Sequence, residues 1–501
     1  MERFDFIVVG GGTAGCVLAA RLSRDPGIRV LLLEAGAAQP SPAMSDPLTW
    51  PRLAGTAVDW DYQTVPQRGT DNAVHRWPRG KVLGGSSGIN GMIHVRGDRS
   101  SYDAWERAGA TGWNYDTLLP FLKRSERAVF GDPSHRGMDG PMVVAPGSAA
   151  DPFGEACFVA AVQAGHPASD GVDEEGTSWN DMNIVDGLRQ SAADGYLTPA
   201  AGRPNLTIRA QAHVRRLLLE GSSCRGVEYS IGGEIYLSHA DREVVLAAGV
   251  IGSPQLLLLS GVGPGQQLRD LGIDVVAELP GVGANLHDHP KAGVAYTTSR
   301  SVRTSGHSRK PRVLLRTEPS VDPDIQVIFR DVPMGARWVP GAEDGYTVVY
   351  SLMTPASRGC VRLASADPYA PPLIDPNYLA EESDPRRMIT GLRLARHIGE
   401  AAAFAPWRDK ELFPGPGIRT DAELGAHLRH SMSTYFHPVG TCKIGNDAMA
   451  VVDAGLKVRG ITNLRVADAS VMPSVVSANT NAAVLAIAER AASLLTGELP
   501  R

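Results

Sequence analysis

The residues best suited to chemistry stand at the start of the chain. Gly10-Gly11-Gly12-Thr13-Ala14-Gly15 fits G-x-G-x-x-G and directly follows the apolar run Phe4 to Val9. In such a loop Gly10 permits a tight turn, Gly12 lets backbone amides approach a pyrophosphate, and Gly15 lets helix and strand pack closely. A second β-rich run, Ile28 to Leu33, ends at Glu34 and Ala35, and the Glu34 carboxylate can accept from both hydroxyls of a ribose. A plain tight turn needs no acid at the end of the next strand. The unit is therefore expected to hold an ADP moiety against the positive end of a helix. NAD and FAD share that moiety, so the loop alone does not choose between them.

The elements that carry this loop read as βαβ: a strand over 4–9, a helical pattern over 14–24 and a strand over 28–33. Parallel strands of this kind are covered on both faces, which explains why Val30-Leu31-Leu32-Leu33 shows no polar alternation. The stretch 36–100 is rich in Pro, Gly, Ser and Trp and reads as a long ordered loop. Strand-like segments recur at 205–219 and 224–237, and Glu243 to Ala247 reads as a buried strand entering a helix through Gly249. From about 291 to 436 the style changes to spaced strands (313–315, 325–328, 347–350) and a helix near 383–402, as in a separate, mostly antiparallel sheet. Leu464 to Asp468 then reads as a strand, and Asn479 or Thr480 as the cap of a last helix.

Composition narrows the function classes. With 43% hydrophobic and 21% charged residues, 55 glycines and 36 prolines, the chain is globular with many turns. A net charge of -5 with dispersed Lys and Arg offers no phosphate-neutralising stripe, so nucleic acid is excluded as a partner. Met1-Glu2-Arg3 leaves no room for a signal peptide and no apolar run approaches a membrane span, so a cytoplasmic location is expected. Five scattered cysteines without a C-x-x-C pair are expected to be reduced thiols. His287-Asp288-His289 has no further ligand nearby and reads as a loop, so no metal is expected.

Several further segments resemble the glucose-methanol-choline (GMC) oxidoreductases, a family of FAD flavoproteins, and together they span nearly the whole chain. Arg79 to Met92 resembles the family's first signature, which implies cofactor contacts at Arg79, Val82, Gly84, Gly85, Ser86, Asn90, Gly91, Met92 and the adjoining Ile93, with Asn90 the main polar contact. Gly249 to Gly263 resembles the second signature, extending the set to Ala248 and Gly249, and Val214 is included with them. Val282 to Pro290 is similar to the family's V-G-x-N-L-x-D-H-P segment, and Asn463 to Ser470 to the one that brings Asp468 and Ala469 to the ribityl chain. The resemblance implies FAD rather than NAD. It also implies an α/β fold in which a Rossmann-like FAD-binding domain (1–150, 186–290 and 437–501) carries a discontinuous α+β substrate-binding domain (151–185 and 291–436). His94, Val250 and Ile444 depart from the usual residues. Ile89 stands where some relatives attach FAD through a histidine, so the flavin is expected to be noncovalent.

Oxidising an alcohol requires a base for the hydroxyl proton as hydride leaves for flavin N5, and histidine suits neutral pH. Alone, His437 reads as a structural histidine and Asn481 as a helix cap. By resemblance, His437 matches the catalytic histidine and Asn481, within Asn479 to Ala482, the second polar position that orients the substrate oxygen. Phe436 is expected to wall the substrate, with Trp60, Tyr62 and Trp338 as weaker candidates, whereas Glu343-Asp344 reads as a solvated turn that gives choline no support. The helix after Asn481 should turn its positive end to the flavin. The expected function is oxidation of a small-molecule alcohol to an aldehyde or ketone, with oxygen or a separate redox carrier as acceptor. A lyase, a photodecarboxylase and a noncatalytic flavoprotein are the alternatives on this fold.

Overall fold

The computed structural model describes residues 2–498 apart from 39–40, 147, 170–173, 303–308, 320 and 336–343. The strand Glu2–Val9 lies between two parallel neighbours, pairing Ile7 with Leu31 on one side and with Val244 on the other. Its last four residues keep side chains almost wholly from water, as a strand covered on both faces requires. The sheet runs in the order 206–209, 30–33, 2–9, 234–246, 223–231, 213–220, and Leu464–Val466 also pairs with 234–246.

At the end of Glu2–Val9 the chain turns through Gly10, whose φ of +98° suits glycine alone. The helix Thr13–Leu22 follows. Its approach to the turn is so close that a Cβ on Gly15 would sit 1.8 Å from the Gly10 carbonyl oxygen.

The C-terminal helix Asn481–Thr496 packs beside this first helix, and two contacts fix the pairing. Thr13 Oγ1 donates to Asn481 Oδ1 at 2.9 Å, and eight residues further along each helix Arg21 meets Glu489 at 2.8 Å. Equal spacing on both helices means that they run parallel and in register, with both N-termini at the same edge of the sheet. Tyr196 and Arg124 also reach the buried Glu489. Removing one partner of such a buried pair costs about 3–5 kcal/mol.

The second sheet is antiparallel, in the order 408–413, 290–298, 345–352, 325–330, 311–315, 176–179, with 433–434 pairing 290–298. The helix Ser383–Gly399 covers it with Met388, Leu392, Ala395 and Ile398, each fully buried. Truncating one of these larger side chains to alanine removes about 2–5 kcal/mol.

Two sequence expectations change. The segment read as one strand at 224–237 is a turn-back between the strand Ser223–Ile231 and the start of the thirteen-residue strand Glu234–Leu246, which also takes in most of 243–247. It begins exposed, pairing antiparallel with 223–231 from Glu234, and ends with Val244 to Leu246 buried in the parallel core, so the residue pattern changes along it. The stretch 36–100 contains the short helix Pro42–Ser45 and the hairpin Tyr62–Gln63 with Arg76–Trp77. All five cysteines are free thiols. Among the described residues no cluster could hold a metal, and no helix is long and apolar enough to cross a membrane.

Candidate active site

One cavity of about 740 Å³ runs from the glycine loop and Glu34 to His437 and Asn479. It lies where the ends of the parallel strands meet the second sheet, a place where ligands of such folds collect.

At the glycine end the Glu34 carboxylate accepts from Gly11 N at 2.8 Å and from Gly36 N at 2.7 Å, one bond to each oxygen. Each oxygen keeps a lone pair for a hydroxyl. Burial pushes this acid up to about 7, against the pull of those amides. Gly85 lies so close to Gly12 that a Cβ on it would meet the Gly12 Cα at 2.6 Å. Gly84 N donates to Gly11 O at 2.8 Å, so the segment from Arg79 closes over the loop without side chains between them. With both helix N-termini present here, these donors and this acid fit the ADP half of FAD.

Further in, Asn90 Oδ1 accepts from Met92 N and from the buried Arg189, each at 2.9 Å. Asp468 accepts from Gly249 N and Ser470 N at 2.8 Å and from Ser253 Oγ, and burial raises its pKa. It therefore ties the second signature to the C-terminal segment while still lining the cavity.

The far end is built around His437. Phe436, just before it, holds a left-handed φ of +67°, a conformation costly for a bulky residue. Three bonds hold that turn: Phe436 N to Thr434 Oγ1 at 2.8 Å, Arg79 to Phe436 O at 2.8 Å, and His437 N to Asp288 Oδ1 at 2.7 Å. Asp288 also takes the hydroxyls of Thr434 and Tyr378.

The ring of His437 contacts His289 through Nδ1 at 3.0 Å and the Asn479 amide nitrogen through Nε2 at 3.1 Å. His289 Nε2 in turn lies 3.1 Å from Met353 O. These contacts assign the protons. A carbonyl only accepts, so His289 Nε2 carries hydrogen and its Nδ1 is a lone pair. His437 Nδ1 must then donate to it, which leaves the lone pair of His437 on Nε2, where it accepts from Asn479 Nδ2 at the cavity wall. Burial drives His437 well below the ordinary histidine range, helped by His289, Arg79 and Lys291. His289 falls to about 3 through burial. The Asn479 carbonyl oxygen is buried without a partner among the described residues and so calls for a donor from a bound molecule.

Of the expected site residues, Gly15, Val82, Gly84 and Ala482 do not line the cavity. Gly15 packs on the Gly10 carbonyl, Gly84 braces the glycine loop from behind, Val82 joins an apolar cluster with Met44, Leu53 and Ile89, and Ala482 is buried in its helix. The second polar position also shifts. Asn481 does line the cavity, but its carbonyl is engaged by Thr13, and the amide that meets His437 belongs to Asn479. Trp60 and Tyr62 line the cavity as a stacked pair 5.7 Å apart. Trp338 and Glu343 lie outside the described residues, and Asp344 is exposed.

Sequence reasoning missed His289, Lys291, Arg189 and Arg330. For His289 and Lys291 a signal was present, because both flank the proline of the recognised Asp288-His289-Pro290 segment. His287, expected in a loop, accepts from Val475 N at 2.9 Å and contacts Asn285 O at 2.7 Å, which uses both its nitrogens.

Comparison with known proteins agrees with this geometry. The two family models described as GMC oxidoreductase match residues 4–291 and 355–488. A mitochondrial choline dehydrogenase of Mus musculus is 40% identical, the alignment covering 99% of this chain and 90% of that protein. An oxygen-dependent choline dehydrogenase of Pseudomonas aeruginosa is 37% identical over 100% of this chain and 96% of its own. Among solved structures, pyridoxine 4-oxidase from Mesorbium loti superimposes with a TM-score of 0.95 at 37% identity, covering 99% of this chain and 100% of that one. A formate oxidase of Aspergillus oryzae RIB40, studied for modification of its FAD, gives 0.91 at 28% identity over 99% and 98%. The chain belongs to the GMC oxidoreductase family and is an FAD-dependent enzyme that oxidises CH–OH groups.

Proposed function

We propose that His437 is the base that takes the alcohol proton, and that Asn479 rather than Asn481 orients the alcohol oxygen. The observation that carries this is the tautomer chain Met353–His289–His437, which leaves an unprotonated Nε2 facing the cavity beside the Asn479 amide. Bound FAD supplies the acceptor for the hydride. His437 Nε2 receives the hydroxyl proton as the C–H bond breaks, and the product is the aldehyde or ketone. Asn479 Nδ2, whose N–H rests on His437 Nε2, turns to donate toward the oxygen as the hydroxyl takes that place, and it does not titrate. The parallel N-termini at Thr13 and Asn481 set positive potential at the cavity edge, which favours negative charge on a reduced cofactor.

Several finer points belong to the same reading. FAD is held noncovalently, since Ile89 offers no nucleophile, and denaturing precipitation should release it into the supernatant. The strands of the two sheets support a division into an FAD domain (1–150, 186–290, 437–501) and a substrate domain (151–185, 291–436). A cytoplasmic placement, with oxygen or a redox carrier as acceptor, goes with it. The names of the relatives point to choline and to pyridoxine, which share only the alcohol.

The test is anaerobic mixing in the dark with a panel of alcohols. An oxidisable alcohol bleaches the flavin. Turnover that leaves the flavin oxidised, or that needs light, would instead indicate a lyase or a decarboxylase. His437→Ala should keep its flavin and lose at least about 100-fold in the bleaching rate; a near-normal rate would overturn the assignment.

A further inference from the structure

The substrate end of the cavity is lined by positive charge. Lys291 follows Pro290 on the strand Pro290–Thr298, and its ammonium lies 4.7 Å over the ring of Phe436 and 5.9 Å from that of Tyr435. Arg330 ends the strand Ile325–Arg330, with its guanidinium 4.9 Å over Trp50. Both side chains line the cavity together with Phe436 and His437.

An aromatic cage for a quaternary ammonium needs open ring faces. Here the faces of Phe436 and Trp50 carry Lys291 and Arg330, and Trp60 carries Lys81 at 4.6 Å. The protein's own cations occupy the seats that a cationic alcohol would use. The acids nearby do not reverse the balance. Asp288 is engaged by Thr434, Tyr378 and the His437 amide. Among the described residues, Asp331 is the further acid at this end of the cavity, beside Arg330 and against Lys291, Arg330 and Arg79.

We propose that the substrate is an alcohol bearing an anionic oxygen group, and that Lys291 and Arg330 are the residues that select it. This rests on the alcohol-oxidising reading of the same site. An anion placed over Phe436 and Trp50 meets both cations while its carbinol reaches His437, and a quaternary ammonium is repelled from the same position. The charge on Lys291 is also adjustable. Burial first, then Arg330, against the pull of Asp288, bring its ammonium down to about 7. A bound anion favours the charged form, so affinity for anions should weaken as pH rises above about 7. Among the described residues, the groups facing this site are Arg79, Arg330, Asp331, Asp288, Tyr435 and His437; the last is already neutral and Tyr435 is held protonated by burial.

The experiment is a matched series on the holoenzyme: 4-(hydroxymethyl)benzoate, 4-methylbenzyl alcohol, 4-(trimethylammonio)benzyl alcohol and choline, followed by anaerobic flavin bleaching. The carboxylate should exceed the neutral compound in kcat/KM by about tenfold or more, with both cations below it. Lys291→Met and Arg330→Met should each reduce that preference by about tenfold, and Lys291→Arg should retain it. Benzoate, titrated as a dead-end ligand by the flavin spectrum, should bind more weakly above pH 7 and to Lys291→Met. A cation oxidised faster than the neutral isostere, or a preference unchanged in Lys291→Met, overturns the proposal. Should a variant fail to fold, the wild-type charge series decides alone. If no alcohol bleaches the flavin, the alcohol reading fails, and benzoate binding still reports on the charge.

Discussion

Replacing His289 separates a base set by its tautomer from a histidine that merely packs. In His289→Leu the acceptor for His437 Nδ1–H disappears, although the site stays filled and apolar. A buried donor left without a partner costs about 1–3 kcal/mol. The imidazole can relieve this by turning, or by moving its proton to Nε2, and either removes the lone pair from the alcohol. Expressed as a rate, the same energy is about 5- to 150-fold. His289→Asn is the informative counterpart, because its Oδ1 can accept from His437 Nδ1–H even though the bond to Met353 O is lost. The measurement is the rate of anaerobic flavin reduction by the best alcohol of the panel, with flavin content read from absorbance. The leucine variant should fall by about 10- to 100-fold with its flavin retained, and the asparagine variant should recover most of that loss. Equal rates in the two variants, or a leucine variant within about threefold of wild type, would refute the tautomer argument.

The remaining predictions concern the two asparagines and the acid limb. Asn479→Ala removes the amide beside His437 Nε2 and should lower the bleaching rate by about 10-fold or more while FAD binds as before. Asn481→Ala breaks the link to Thr13, so it should weaken FAD retention, measured by equilibrium dialysis, more than it slows the flavin-bound enzyme. His437 must be neutral to act, and its pKa is lowered by burial, then by His289, Arg79 and Lys291. With a neutral alcohol, kcat/KM should therefore hold as pH falls from neutral through about 6.5 and drop only below it; an acid limb at or above the ordinary histidine value would count against the network.

The parts of the fold written in short-range pattern were legible. Phe6 to Val9, the glycine loop and Val30 to Leu33 announce a parallel core because a strand buried on both faces admits nothing polar. Glu34 completed the nucleotide reading, since an acid there is needed by a ribose and not by a turn. The long strand Glu234–Leu246 was harder to read. One end is solvated and antiparallel and the other buried and parallel, so no single periodicity spans it.

The chemistry was less legible, for a geometric reason. Asn479 and Asn481 are two residues apart at the start of a helix, and side chains at i and i+2 do not share a helical face. Which of them meets His437 depends on where the helix begins, and sequence reading of that boundary is uncertain by more than the separation of the two residues. The structure starts the helix at Asn481 and packs it in register with Thr13–Leu22, through Thr13 at one end and Arg21–Glu489 further along. That register commits Asn481 to the glycine loop and leaves Asn479, still ahead of the helix, to reach His437. Lys291 was hidden for a different reason. On the page it is one lysine at the head of a strand, and only the cross-sheet placement of Phe436 and Arg330 turns it into part of a charged pocket. The motif-bearing half of the cavity could thus be read from one dimension, while the half that chooses the substrate depends on pairings between residues far apart in the chain.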